Sequence, residues 1–376
     1  MNIQELRKNA HELVDWMVDY LENIEDYPVK SPVAPGDIYR QLPETMPEQG
    51  EPWADIMADV ERIIMPGMTH WQHPGFHAYI PGNSSPPSIL GEIIMTTIGA
   101  QCMVWDTSPA AAELEERVLN WMRDAMGLPP HWAGVIQDTA STAPLAALLT
   151  AREQATGYHT NRQGVGARRL RVYCSDQTHS SIEKAVKIAG LGSDNLVYLP
   201  TDAALALDPS ALEAAIQADL EAGYQPMCVV AAVGTTGTTA VDPVGAMAKI
   251  CQTYKVWLHV DAAFVGVAQL LPEYAYLLEG MEQVDSYVTN AHKWLFTNFD
   301  CSLYYVKDKA ALLNTFEILP EYLKTESRGQ VNDYRDWGLP LGRRYRALIP
   351  FVWSASDMPL PMRLNSMPSM RVYYRA

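Results

Sequence analysis

A chain of 376 residues is longer than one hydrophobic core usually serves, which predicts two or three domains at about 150 residues each. Hydrophobic residues at 48% and charged residues at 19% exclude disorder as the main state. The formal charge of 28 − 44 = −16 sets a repulsive field against nucleic acid and anionic membranes and argues against both as partners.

Met1 to Asn9 runs straight into a charged amphipathic pattern with no apolar signal core. No stretch approaches the ~18 apolar residues of a membrane span, so a soluble, cytoplasmic protein is expected. Ile3, Leu6, Ala10, Leu13, Val14, Met17, Val18, Leu21 and Ile24 recur at helical spacing. They predict a first helix over 3–24 with one broad apolar stripe that needs something to lie on. Residues 26–52 carry Pro28, Pro32, Pro35, Pro43, Pro47 and Pro52, which predicts an extended connector and makes the first helix part of an arm. A second proline-rich turn region, 73–87, precedes two helices. The later one starts at Ser108 as N-cap with Pro109 at its first position and stops near Gly127.

From about Gly134 short apolar runs alternate with helical stretches: 134–137, 170–174, 196–199, 227–233, 256–260, 285–289 and 302–306. This pattern predicts an α/β fold with a mainly parallel sheet, and the runs without alternation suit strands covered on both faces. Ligands in such sheets sit beyond the carboxyl ends of the strands. Chemistry is therefore expected at Thr139 to Ser141, Asp176 to His179, Gly234 to Thr236, Asp261 to Ala263 and Asn290 to Lys293. The five cysteines are far apart and form no C-x-x-C pair, so neither a zinc knuckle nor a disulfide framework is indicated, and a reducing cytosol fits. After Leu348 a Met- and Pro-rich stretch shows neither helical nor strand periodicity. The expected organisation is an N-terminal helical arm over 1–85, a large α/β domain over 86–348, and a tail over 349–376 without domain character.

No P-loop, G-x-G-x-x-G or G-x-S-x-G string is present, which removes the usual support for NTPase, Rossmann dehydrogenase and serine hydrolase chemistry. His70, His73 and His77 have metal-like spacing, but Pro74 and Gly75 break the helix that would align them, so packing is the better reading and no metal is expected. The remaining strand-end groups suit a phosphorylated aromatic aldehyde. Such a cofactor needs a lysine for a Schiff base and a carboxylate for its pyridine nitrogen, and Lys293 and Asp261 offer the pair. Taken singly, the plainer reading wins: Lys293 as a surface lysine and Asp261 as a helix-capping aspartate.

The strings around them decide between these readings. HVDAAF (259–264) and NAHKW (290–294) resemble the pyridoxal 5′-phosphate (PLP) motifs of fold-type I enzymes, and more narrowly those of group II decarboxylases acting on aromatic L-amino acids. The resemblance extends through IIMPGMTHWQHPGFHAYIP (63–81), WDTSPAAAELE (105–115), GVIQDTAS (134–141), DQTHSS (176–181), NFDCS (298–302) and DYRDWGLPLGRRYRAL (333–348), and so covers nearly all of 1–348.

That resemblance implies the aspartate-aminotransferase-like large domain and a role for each matching position. Lys293 is the Schiff-base lysine, Asp261 the partner of the pyridinium nitrogen, and His179 the histidine stacked on the ring. Thr236 and Ala263 line the ring, while Ala140, Ser141, Asn290 and His292 form the phosphate site. Trp71, Tyr79, Ile80 and Pro81 belong to the substrate pocket. Gly82 and Met103 stand where relatives often carry other side chains, which leaves the preferred ring size open. Tyr322 matches a mobile-loop tyrosine that protonates the substrate α-carbon after CO2 departs, and the composition of 315–335 suits a lid. The resemblance stops at Leu348, where relatives continue into a further small domain, so a truncated C-terminal domain is expected. It also implies a homodimer in which such arms cross between subunits. The expected function is decarboxylation of tyrosine, DOPA, tryptophan or phenylalanine to the amine and CO2. The alternatives are a group II decarboxylase for glutamate or histidine and an inactive, truncated PLP-binding fragment, and Trp71 and Tyr79 argue against an acidic substrate.

Overall fold

A computed structural model describes residues 1–80, 82–318 and 330–355. The chain divides into two compact units, one over 1–81 and one over 82–366.

In the first unit α1 (Ile3–Glu22) opens on a capping box. The Asn2 side chain accepts the backbone N–H groups of Gln4 and Glu5 at 2.9 and 3.0 Å, and Glu5 accepts the N–H of Asn2 at 2.7 Å, satisfying donors that a helix start leaves free. None of its residues is buried; Ile3, Leu6, Val14, Val18 and Leu21 are exposed along the stripe. The proline-rich connector holds a single three-residue turn, Tyr39–Gln41, before the short helix α2 (Trp53–Asp59). His70 is buried, 2.9 Å from the Tyr20 hydroxyl through Nδ1 and packed on the Tyr27 ring at 4.7 Å.

The second unit begins with α3 (Pro86–Ile98) and α4 (Pro109–Ala125), each with proline in its first turn. There the missing N–H costs nothing. It continues through β1 (Ala133–Gln137), α5 (Thr142–Ala155), α6 (Thr160–Gln163), β2 (Leu170–Ser175), α7 (Ser181–Ile188), β3 (Leu196–Leu199), α8 (Pro209–Glu221) and β4 (Gln225–Ala232). Then come α9 (Val244–Tyr254), β5 (Trp257–Asp261), β6 (Ser286–Asn290), α10 (Ala291–Trp294), β7 (Ser302–Val306), α11 (Lys309–Phe316) and α12 (Leu348–Ser354). All seven apolar runs are strands, and they form one sheet in the order β1-β7-β6-β5-β4-β2-β3. β7 is antiparallel to both neighbours and the remaining pairs are parallel.

β5 and β6 are buried at every position, as strands sandwiched between helices must be. On one side Leu148 of α5 and Ile182 and Val186 of α7 pack with Val172 and Val230. A second cluster joins Ala143, Ala146 and Ala147 of α5 to Val288, Tyr304 and Val306. The parallel strands therefore run their carboxyl ends to one edge of the sheet, where Ala232, Asp261 and Val288 lie side by side in register.

The compact units divide between 81 and 82, and Asn83 and Ser85 hydrogen-bond to the backbone of residues 292–296. Two expectations are corrected. The stretch after Leu348 continues as α12, which buries Ile349, Pro350 and Trp353. Gly91 of α3 admits this helix, since a Cβ there would lie 3.2 Å from the Ile349 Cα. Finally, Tyr334 and Arg335 are buried, so the C-terminal end of the stretch read as a lid is packed structure.

Candidate active site

The strand-end residues converge on a cavity of about 240 Å³ in the second unit. Thr139, Ala140, Ser141, His179, Thr236, Asp261, Ala263, Asn290, His292 and Lys293 all line it. Each arrives by the same local logic: a buried strand delivers its last residue to the carboxyl edge, and the chain turns there. Asp261 closes β5 and Asn290 closes β6, each one residue earlier relative to its strand end than the apolar runs suggested.

Lys293 sits in the one-turn helix α10 directly after β6. Burial lowers its pKa from the usual lysine value, while the Asp261 carboxylate acts the other way. Asp261 is itself buried and accepts the N–H of Ala263 at 3.1 Å, which fixes the direction of its carboxylate. Two residues earlier on the same face of β5, His259 is fully buried, with Nδ1 2.9 Å from the Ser286 hydroxyl. Burial holds His259 down to about 4.

His179 is exposed. Its Nδ1 accepts the Ser181 N–H at 3.2 Å and lies 2.9 Å from the Ser181 hydroxyl, so the ring plane is set from its own loop. At the other end of the cavity the start of α5 brings backbone N–H groups beside Ala140 and Ser141. Ser141 N–H reaches the Thr139 hydroxyl at 3.3 Å, and a fourteen-residue helix directs its positive end toward whatever anion lies there. Asn290 accepts the Ser302 hydroxyl at 2.6 Å, and His292 Nδ1 accepts the Cys301 N–H at 2.9 Å. Burial, and then the Lys293 amine, hold His292 down to about 4, so its imidazole is neutral at physiological pH.

The donor set fits PLP: one amine made less basic, one oriented carboxylate, one imidazole face, and a helix start with hydroxyls for a dianion. Gly234 also lines the cavity, with φ of +82°, and a Cβ there would meet Val265 Cγ2 at 2.0 Å. Only glycine fits that turn. The lining further includes Thr235, from the stretch 234–236 where chemistry is expected, and Ser181, Phe264 and Phe299, which carried no role in the sequence reading although all three lie in strings quoted for it. Phe299 is exposed and sets its ring edge-on to His292 at 4.8 Å.

Trp71, Tyr79 and Ile80 belong to the first unit. There Trp71 stacks between Phe76 and Tyr79 at 4.9 and 5.9 Å. Pro81 and Tyr322 lie outside the described residues.

Comparison with known proteins gives a consistent result. The pyridoxal-dependent decarboxylase conserved domain matches residues 35–355. A phenylacetaldehyde synthase from Arabidopsis thaliana is 44% identical over 362 positions, covering 93% of this chain and 72% of that protein. Tyrosine decarboxylase 2 from Narcissus pseudonarcissus is 42% identical over 386 aligned positions, covering 100% and 75%. Among solved structures, Oryza sativa TDC with PLP and tryptamine superimposes with a TM-score of 0.91 at 38% identity, covering 94% of this chain and 74% of that one.

Proposed function

The chain belongs to the pyridoxal-dependent decarboxylase family, a PLP enzyme that decarboxylates aromatic amino acids, and from that premise we propose that it converts tyrosine, DOPA, tryptophan or phenylalanine to the corresponding amine. Bound PLP supplies the electron sink that accepts the electron pair left on the substrate α-carbon when CO2 departs. The residues of the chain bind, orient and protonate around that sink.

Lys293 holds the cofactor; its lowered pKa raises the fraction of neutral, nucleophilic amine. Asp261, buried and oriented by the Ala263 N–H, holds the proton on the pyridine nitrogen. His179 would stack on the cofactor ring, and Thr236 and Ala263 would line it. Ala140, Ser141, Asn290 and His292 surround the phosphate, where a neutral His292, its Nδ1 already taken by the Cys301 N–H, offers one hydrogen bond from Nε2 without a second charge. Trp71, Tyr79, Ile80 and Pro81 receive the substrate side chain, and Tyr322 delivers the proton that yields the amine.

The observation carrying this reading is the convergence of Lys293, Asp261, His179 and the α5 start on one cavity. Incubating the PLP-loaded protein with each aromatic amino acid, glutamate and histidine, and measuring CO2, amine and peroxide, tests it. Amine from an aromatic substrate is expected; preference for glutamate or histidine contradicts it. The similarity to a phenylacetaldehyde synthase favours a second reading, an aldehyde product, which peroxide from the wild type would establish.

The protein further acts as a cytoplasmic homodimer. The exposed stripe of α1 supports the dimer, together with Leu90, Ile93, Ile94 and Ile98, exposed on one face of α3; both faces need covering. A fully active monomer in light scattering contradicts the dimer.

A further inference from the structure

Asn83, Ser85 and Ser88 are buried polar residues at the start of the second unit. All three bond to the loop that follows β6. The Asn83 backbone N–H donates to the His292 carbonyl at 2.9 Å, and its Nδ2 donates to the Lys293 carbonyl at 3.0 Å. The Ser85 hydroxyl donates to the Phe296 carbonyl at 2.9 Å. Ser88 donates to Asn298 Oδ1 at 2.8 Å and accepts the Asn298 N–H at 2.6 Å.

α10 is a single turn of four residues. In a longer helix the carbonyls of His292 and Lys293 would accept from residues 296 and 297, but the Thr297 N–H donates instead to Ala291. Phe296 adopts φ of +54°, a conformation that ends a helix. Asn83 therefore replaces the missing turn at the two carbonyls that bracket the lysine.

We propose that Asn83 is a positioning residue for Lys293: its two bonds fix the peptide planes on either side of the lysine Cα and so set the direction in which the amine is presented to PLP. This rests on Lys293 being the lysine that carries the cofactor. The side chain required is specific. Alanine removes the donor to a part-buried carbonyl, and aspartate sets oxygen against oxygen, although both keep the backbone N–H. Ser85 and Ser88 anchor the far part of the loop, beyond the lysine.

The test uses PLP-loaded wild type, Asn83→Ala, Asn83→Asp, Asn83→Ser, Ser88→Ala and Lys293→Ala. The pH midpoint of the visible PLP band, the Kd for PLP and the Tm are measured on each. Asn83→Ala is expected to move the pH midpoint and to raise the Kd about five- to thirtyfold, the equivalent of about 1–2 kcal/mol at 1.4 kcal/mol per decade. Asn83→Asp should do so more strongly and Asn83→Ser, which keeps a donor, less. Ser88→Ala should lower the Tm with the midpoint unmoved. An Asn83→Ala protein that loses only Tm, or that keeps the wild-type midpoint and Kd, overturns the inference while leaving the lysine assignment intact. A visible band that survives in Lys293→Ala overturns both.

Discussion

Replacing Arg343 by methionine tests how the strand that leads to Thr139 and Ser141 is held. Arg343 is 8% exposed and its partner Glu115 2%, so solvent screening is slight. Arg343 Nη1 and Nη2 donate to the two Glu115 oxygens at 3.0 and 2.6 Å, and Nη2 also donates to the Ile136 carbonyl at 2.7 Å. Glu115 in turn accepts the Ile136 N–H at 2.9 Å. The pair thus ties α4 and the segment before α12 to β1, whose end leads to Thr139 and Ser141. Methionine keeps much of the apolar volume but leaves a buried carboxylate with the Ile136 N–H in place of three partners. Breaking a buried pair in this way costs about 3–5 kcal/mol. Removing both charges in Arg343→Met with Glu115→Leu should recover most of it, giving a coupling of at least about 2 kcal/mol. Urea titration followed by tryptophan fluorescence reads each variant. A cost for Arg343→Met under about 1 kcal/mol, or a double variant as unstable as the sum of the singles, refutes the reasoning.

Asp261→Asn should still bind PLP through Lys293 while turnover falls by orders of magnitude, because a neutral amide no longer holds the pyridine proton and each lost pKa unit is about 1.4 kcal/mol; stopped CO2 release with an intact visible band checks it. Tyr322→Phe should still release CO2, but in the presence of oxygen and water the product should shift from amine toward aldehyde, ammonia and hydrogen peroxide; an unchanged amine yield makes Tyr322 a bystander. His259 and His292 are held down to about 4, burial being the larger cause for each, so between about pH 6.5 and 4 the unfolded chain binds protons that the folded chain does not. Their contribution is present above pH 6.5 and is lost as pH falls, at up to about 1.4 kcal/mol per pH unit for each. Urea midpoints should drop from pH 7 to pH 5, and less steeply in His259→Gln; a flat profile contradicts this.

The strands were legible because each is a short apolar run bounded by polar turns, and a run buried on both faces needs no alternation to be seen. The cavity lining was legible where a residue lies beside the strand that delivers it, as with Asp261 after VWLHV and Lys293 after β6. What stayed hidden depends on contacts distant in sequence. Asn83 meets Lys293 across 210 residues and Arg343 meets Glu115 across 228, and no local pattern encodes either. Gly234 reads as an ordinary turn glycine until Val265 is placed against it. α12 escaped because the stretch after Leu348 shows no helical periodicity as a whole, while the helix occupies only Leu348–Ser354 with Pro350 in its first turn, where proline is tolerated.

The central claim is that Lys293 carries PLP. Borohydride reduction of the PLP-loaded protein, followed by peptide mapping in the mass spectrometer, tests it most directly. The account requires the visible band to disappear on reduction and a pyridoxyl adduct to be found on the peptide containing NAHKW, at Lys293. An adduct on another lysine, or a visible band that borohydride leaves unchanged, would contradict it.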